Sequence, residues 1–222
     1  MQPKFRESYS QAGEDMIIDY IFKAKGIAQP SYMDIGANDP FAISNTAFFY
    51  KKGCRGINIE PNPVLFKKIQ DNRPGDINLN VGIGSDKGEL DFYILDADTM
   101  STFSKSNAEE LCDKYSFSIK DVLKIQVESI NAISDDYFGG KFPDFISLDT
   151  EGLDLQILTS MDLKREGAYV ICAETIEYAE NFEGKKETEL INYLVQNDYI
   201  VYADTYINTV FVKRDWLLGR NY

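Results

Sequence analysis

Acidic residues at the ends of apolar runs are where this chain could do chemistry. Asp34-Ile35-Gly36-Ala37-Asn38 closes one such run with a carboxylate, a glycine and an amide. At the carboxyl end of a parallel strand, Gly36 would let the backbone come close to a ligand, while Asp34 and Asn38 offer an acceptor and an amide. The same residue types also make an ordinary strand-to-helix turn. Glu60 stands 26 residues after Asp34, at the tip of the next apolar run. A carboxylate there can accept hydrogen bonds from both hydroxyls of a ribose, and the pair at this separation points to a nucleoside site. A third group comprises Asp149, Thr150, Glu151 and Gly152, with Glu174 and Glu177 further along. Carboxylates in one crevice raise one another's pKa, orient a substrate hydroxyl, or hold a divalent ion such as Mg2+ through oxygen ligands. Asp149 or Thr150 could instead cap the helix that begins at Leu153.

What is missing narrows the chemistry. The chain has no histidine, which removes every triad, zinc motif or acid–base step that needs an imidazole. Its three cysteines, Cys54, Cys112 and Cys172, are far apart and read as small buried or half-buried hydrophobes. Phosphate handling separates two nucleoside cofactors. A nicotinamide dinucleotide needs a glycine-rich turn that rests a pyrophosphate on a helix N-terminus. Here the turn reads Gly36-Ala37-Asn38-Asp39-Pro40: Asp39 would repel a pyrophosphate and Pro40 removes an amide donor. S-adenosylmethionine carries a sulfonium and an ammonium and no phosphate, so an acidic turn suits it.

The elements that must position these residues follow from periodicity. Residues 14–25 form an amphipathic helix with acids first and lysines last. Strands are expected at 31–36, 56–61, 77–84, 88–95, 124–130, 144–150 and 169–176, and helices at 44–53, 63–72, 153–161 and 187–197. An antiparallel pair over 199–214 ends the chain. Such alternation describes one α/β domain with a doubly wound sheet, mostly parallel and antiparallel at its end. Residues 96–122 are polar and aperiodic, and read equally as a substrate lid or as an exposed loop.

Composition sets further bounds. The 222 residues carry 23 Lys and Arg against 36 Asp and Glu, a formal charge of −13. That disfavours a nucleic-acid or anionic-membrane surface. The apolar content of 44% permits a full core. No apolar run reaches the roughly 18–20 residues that span a bilayer, and the polar, charged start resembles no signal peptide. A cytoplasmic protein is expected.

Five blocks carry a family resemblance: SQAGED (10–15), DIGANDPFAISNT (34–46), FYKKGCRGINIEPNP (49–63), NVGIG with GELDFYI (80–94), and DFISLDTEGLDLQIL (144–158). In this order they resemble the FkbM family of S-adenosylmethionine-dependent methyltransferases. The resemblance covers nearly the whole chain and implies a class I methyltransferase fold, a Rossmann-like seven-stranded sheet with its last strand antiparallel, over a single domain of residues 1–222. It implies that Asp34, Gly36 and Asn38 line the methionine end of the cofactor, that Glu60 holds the ribose, that Val81 and Gly82 border the adenine, and that Gln11 is a further cofactor or lid contact. Two departures stand out. Asn38 and Asp39 occupy a turn that often carries histidine in relatives, and the usual acid after the Glu-Gly pair is Asp154. The expected reaction is methyl transfer to a hydroxyl of a sugar, a glycan or a small natural product. Glu151 or Asp149 would accept the proton, Glu174 would orient the acceptor, and Mg2+ is an alternative activator. A non-catalytic binding or scaffold domain is the competing expectation.

Overall fold

Apolar runs of four or five residues, each followed by a turn and an amphipathic helix, build the chain into alternating strands and helices. A computed structural model describes residues 6–179 and 183–219. The two ends of the expected 1–222 domain lie outside the described residues. The order is α1 (Glu14–Ala24), β1 (Tyr32–Ile35), α2 (Ala47–Lys52), β2 (Gly56–Ile59), α3 (Pro63–Asn72) and β3 (Ile77–Leu79). Next come β4 (Gly82–Gly84), β5 (Gly88–Leu95), α4 (Lys105–Lys114), β6 (Ile119–Ser129) and α5 (Ile130–Phe138). The chain continues with β7 (Phe145–Leu148), α6 (Asp154–Ser160), β8 (Val170–Glu174), α7 (Thr188–Gln196), β9 (Tyr199–Asp204), β10 (Asn208–Lys213) and α8 (Arg214–Leu218).

Seven strands form one sheet in the order β3-β2-β1-β7-β8-β10-β9. Only β10 runs against its neighbours, and it lies between β8 and β9. This is the doubly wound arrangement with an antiparallel last strand that the sequence leads one to expect. Strand order reverses between β1 and β7, so a crevice opens beyond their carboxyl ends. Both acidic turns lie there.

The two faces of the sheet differ. Met33, Ile35, Ile57, Ile59, Ile146, Leu148 and Ile171 pack on α5, α6 and α7 through Ile133, Ile157 and Leu194. On the other face Tyr32, Phe145 and Val170 meet Ile18 and Phe22 of α1 and Phe49 of α2. The second face turns polar one step further along the strands, where Asn78, Asn58, Asp34 and Ser147 lie side by side in register. No helix among the described residues is long and apolar enough to cross a membrane.

Several expectations need correction. Residues 77–84 are two strands, because Asn80 turns inward to donate to the carbonyls of Glu60 (2.8 Å) and Pro61 (2.9 Å) and breaks the run. Beyond that break β4 joins a separate three-stranded sheet, β4-β6-β5, which period alone does not reveal. The stretch 96–122 is not irregular: it holds a 3-10 turn at Asp98–Met100, helix α4 and the start of β6. Its own small core of Leu95, Met100, Ala108 and Leu111 holds it together. Helix α2 starts only at Ala47, since Ser44 and Thr46 spend their hydroxyls on the turn before it and on Asp34. Helices α5 and α8 have no counterpart among the expected elements.

Candidate functional site

The crevice contains a cavity of about 640 Å³. Gln11, Asp34, Gly36, Asn38, Glu60, Val81, Gly82, Asp149, Glu151, Glu174 and Glu177 all line it. Residues separated by more than a hundred positions are thus brought to one place, and each gets there for a local reason.

Gln11 arrives because the segment before α1 folds on its own acids. Asp15 accepts from the Tyr9 amide (2.7 Å) and the Ser8 hydroxyl (2.6 Å), and the Tyr9 carbonyl accepts from the Ser44 amide (2.9 Å). Glu14 pins the same segment to the far side of the sheet through Thr205 (2.6 Å) and Asn208 (3.2 Å).

Gly36 has φ +78°, and a Cβ there would lie 1.8 Å from the Asp149 carbonyl oxygen. Its lack of a side chain therefore serves the close approach of two strand ends at the cavity wall. Asn38 has φ +49° and its amide donates to Glu60 Oε2 at 2.8 Å, while the Asn62 amide donates to Oε1 at 2.8 Å. Each Glu60 oxygen keeps one lone pair for a ligand. Burial pushes the Glu60 carboxyl up to about 7, against the pull of those two amides, and the charges of Asp34 and Asp98 push the same way.

Asp39 accepts from the amides of Phe41 (2.9 Å) and Ala42 (2.8 Å) and pairs with Lys68 at 2.5 Å. It is a neutralised turn residue, so the expected repulsion of a pyrophosphate by Asp39 loses force. The missing glycines and Pro40 still stand against a dinucleotide. Asp34 does not simply face a ligand either. Its Oδ2 accepts from Thr46 and lies 3.9 Å from the guanidinium of Arg73.

Near Val81 the tip of the Phe103 ring packs against Gly82, where a Cβ would meet it at 2.4 Å. Phe92 backs it at a centroid distance of 4.7 Å. Neither aromatic stands out in the sequence: Phe103 lies in the stretch that lacks a clear period, and the strand pattern of 88–95 gives Phe92 a face but no partner.

Ligand atoms of Asp149, Glu151 and Glu174 all lie within 4.8 Å of one another. Asp149 is open to the cavity although protein surrounds the cavity itself. Burial is the first cause, and the neighbouring carboxylates the second, that raise all three above the usual carboxylate range. A hydrogen bond between Asp149 and Glu174 raises Glu174 and lowers Asp149, so Glu174 is the partner that keeps its proton.

Glu151 sits at φ +53°, a conformation that side-chain-bearing residues seldom adopt. Its carbonyl accepts from Thr102 (2.7 Å) and Asn107 (2.8 Å), both from the inserted segment, which hold the peptide in that pose. Asp154 accepts from the amides of Thr150 (3.1 Å) and Gly152 (3.4 Å) and is occupied with the turn. A second cavity, about 510 Å³, lies behind Glu151 and Glu174, between α4 and the segment after β8. Tyr115 closes its far side by donating to the Tyr178 carbonyl at 3.1 Å.

The model of the Methyltransferase FkbM domain matches residues 34–201, most of the chain and both acidic strand ends. The protein belongs to the FkbM methyltransferase family. Membership makes it an S-adenosylmethionine-dependent methyltransferase. No curated protein matches the chain. Among solved structures it is similar to the TehB-like SAM-dependent methyltransferase from Corynebacterium glutamicum, at 11% identity over 90% of this chain and 87% of that one, with a TM-score of 0.43. It is also similar to the O-methyltransferase from Bacillus cereus in complex with SAH, at 12% identity over 95% and 82% of the two chains, with a TM-score of 0.42. The strand order of this FkbM domain, rather than those likenesses, carries its fold.

Proposed function

We propose that the protein transfers a methyl group from S-adenosylmethionine to a hydroxyl of a sugar, a glycan or another small molecule. The observation that carries this reading is the three convergent carboxylates, which share one cavity with Glu60 and with the Phe103 face. The residues present fit the donor. Glu60 has two lone pairs for the ribose hydroxyls, Ile83, Phe92 and Phe103 give the cavity an apolar wall for a flat base, and acids line the side where a cation would lie. Gln11, Asn38 and Val81 would complete the walls.

The donor supplies a methyl group already activated by its sulfonium, so the chain has to orient the acceptor and exclude water. The second cavity offers the acceptor a route to the Glu151 and Glu174 carboxyls. Glu151 accepts the hydroxyl proton, and burial beside Asp149 and Glu174 raises its carboxyl, making the carboxylate a stronger base. Glu174 holds its proton against Asp149 and orients the acceptor oxygen. The inserted segment, fastened to Glu151, serves as the substrate lid.

The spacing of the same three carboxylates also favours a second reading, in which they hold a divalent ion such as Mg2+ through oxygen ligands. That ion would lower the hydroxyl pKa in place of a side-chain base. Calorimetry with S-adenosylmethionine and S-adenosylhomocysteine, followed by transfer of labelled methyl to a panel of sugars and small alcohols, tests the main proposal. Binding of both ligands with label in a hydroxyl ether supports it, and absence of binding overturns it. Loss of transfer with a chelator, restored by Mg2+, would select the second reading.

A further inference from the structure

Beneath the crevice, on the α1–α2 face of the sheet, lies a fully buried charged layer that the chemistry above does not use. Arg73, which follows α3, has no exposed surface. Its Nε donates to Asp76 Oδ2 (3.0 Å), its Nη2 to the Tyr32 hydroxyl (3.0 Å) and its Nη1 to Thr46 Oγ1 (2.9 Å). Asp76 is saturated: it also accepts from Tyr32, from the Gly56 amide and from Asn58. Thr46 accepts from Arg73 and passes its own hydroxyl hydrogen to Asp34 Oδ2 at 2.5 Å. Asp34 in turn lines the crevice.

The layer therefore holds two carboxylates and one guanidinium. Asp76 takes up the guanidinium's nearest contact, at 2.9 Å, and Asp34 stands off at 3.9 Å. One negative charge is left over, and it belongs to the carboxylate at the cavity wall. An unbalanced buried charge is costly unless a partner arrives. The methyl donor carries an ammonium on its amino-acid half, which has the required sign.

We infer that Arg73 and Thr46 are positioning residues for the amino-acid half of the donor site. Together with Ser147, which also hydrogen-bonds the carboxylate, they hold Asp34 in one rotamer at the cavity wall, where it can meet the ligand's ammonium. Burial pushes the Asp34 carboxyl upward, and the Arg73 charge is the largest force drawing it back. The inference rests on the proposed donor site and adds to it how one end of the donor is recognised.

Two ligands separate this role from a merely structural one. S-adenosylhomocysteine carries the ammonium, whereas 5′-methylthioadenosine keeps the nucleoside and lacks the amino-acid half. With Thr46→Val, calorimetry is expected to show the affinity for S-adenosylhomocysteine falling about tenfold, as loss of one charge-assisted hydrogen bond implies, with that for methylthioadenosine unchanged. Thr46→Ser, which restores the hydroxyl, is expected to bind both as the parent does. If Thr46→Val does not fold, Asp34→Asn, of nearly the same shape, should give the same selective loss. Equal weakening of both ligands, or of neither, overturns the inference while leaving the donor site standing. Failure of the parent protein to bind either ligand overturns both.

Discussion

Glu60 is the residue whose duties can be separated most cleanly. Its oxygens already accept two amides, so Glu60→Gln keeps the shape but loses the charge and turns one amide against another donor. Donor affinity is expected to fall by about ten- to a hundredfold in a calorimetric titration. The same substitution has a signature in stability. The ordinary glutamate value is 4.5 and the folded value is about 7, so between them the folded state holds more protons than the unfolded one. Stability from this group is therefore greatest below about 4.5 and is lost as pH rises through 7. Melting temperature measured across that window should decline with pH in the parent and decline less in Glu60→Gln. Glu151→Gln belongs to chemistry rather than binding. Transfer of labelled methyl should drop by a factor of about a hundred or more with S-adenosylmethionine affinity held, and parent turnover should rise as pH climbs through the raised Glu151 value. Retained turnover would remove Glu151 from the role of base.

Between elements, two contacts decide how the crevice is built. The end of β1 touches the end of β7 at Gly36, and no side chain fits between Gly36 and the Asp149 carbonyl. Gly36→Ala must displace that carbonyl and adopt a positive φ, a combination expected to cost about 3 kcal/mol or more and to lower the melting temperature by roughly 10 °C. An unchanged melting curve would contradict the close approach. The second contact fastens the inserted segment to the Glu151 carbonyl. Asn107→Ala removes one of its two donors and should loosen the segment, which also carries Asp98 and Phe103 of the donor cavity wall. Faster amide exchange over 98–118, with a lower kcat and a higher KM for S-adenosylmethionine, are the expected results. Unchanged exchange over 98–118 would show that this hydrogen bond does not fasten the segment.

Across the whole molecule, a net charge of −13 and acid-lined cavities draw cationic ligands. S-adenosylmethionine carries one more positive charge than S-adenosylhomocysteine. Rising salt should therefore weaken the methionine ligand more than the homocysteine one, and equal salt sensitivity would mean that the field of the chain contributes nothing to choosing the donor.

Much of this architecture was legible in the residues. Short apolar runs ending in Asp34, Glu60, Asp149 and Glu174 give strand tips, and parallel strands in a doubly wound sheet send such tips to one edge. Period 2 and period 3.6 are local properties of a chain, so α3 at 63–72 and β5 at 88–95 lie where the pattern put them. Partners distant in sequence have no such local trace. The Arg73–Thr46–Asp34 relay, the ring of Phe103 against Gly82, and the two hydrogen bonds on the Glu151 carbonyl each join segments more than ten residues apart. Periodicity showed which residues end strands, whereas the packed chain alone decided that Asp34 is held from beneath, that Gly36 serves a neighbouring strand, and that the aperiodic stretch folds around its own small core. Local pattern follows from each residue's own geometry, but who meets whom across the fold depends on how the faces of the sheet are covered.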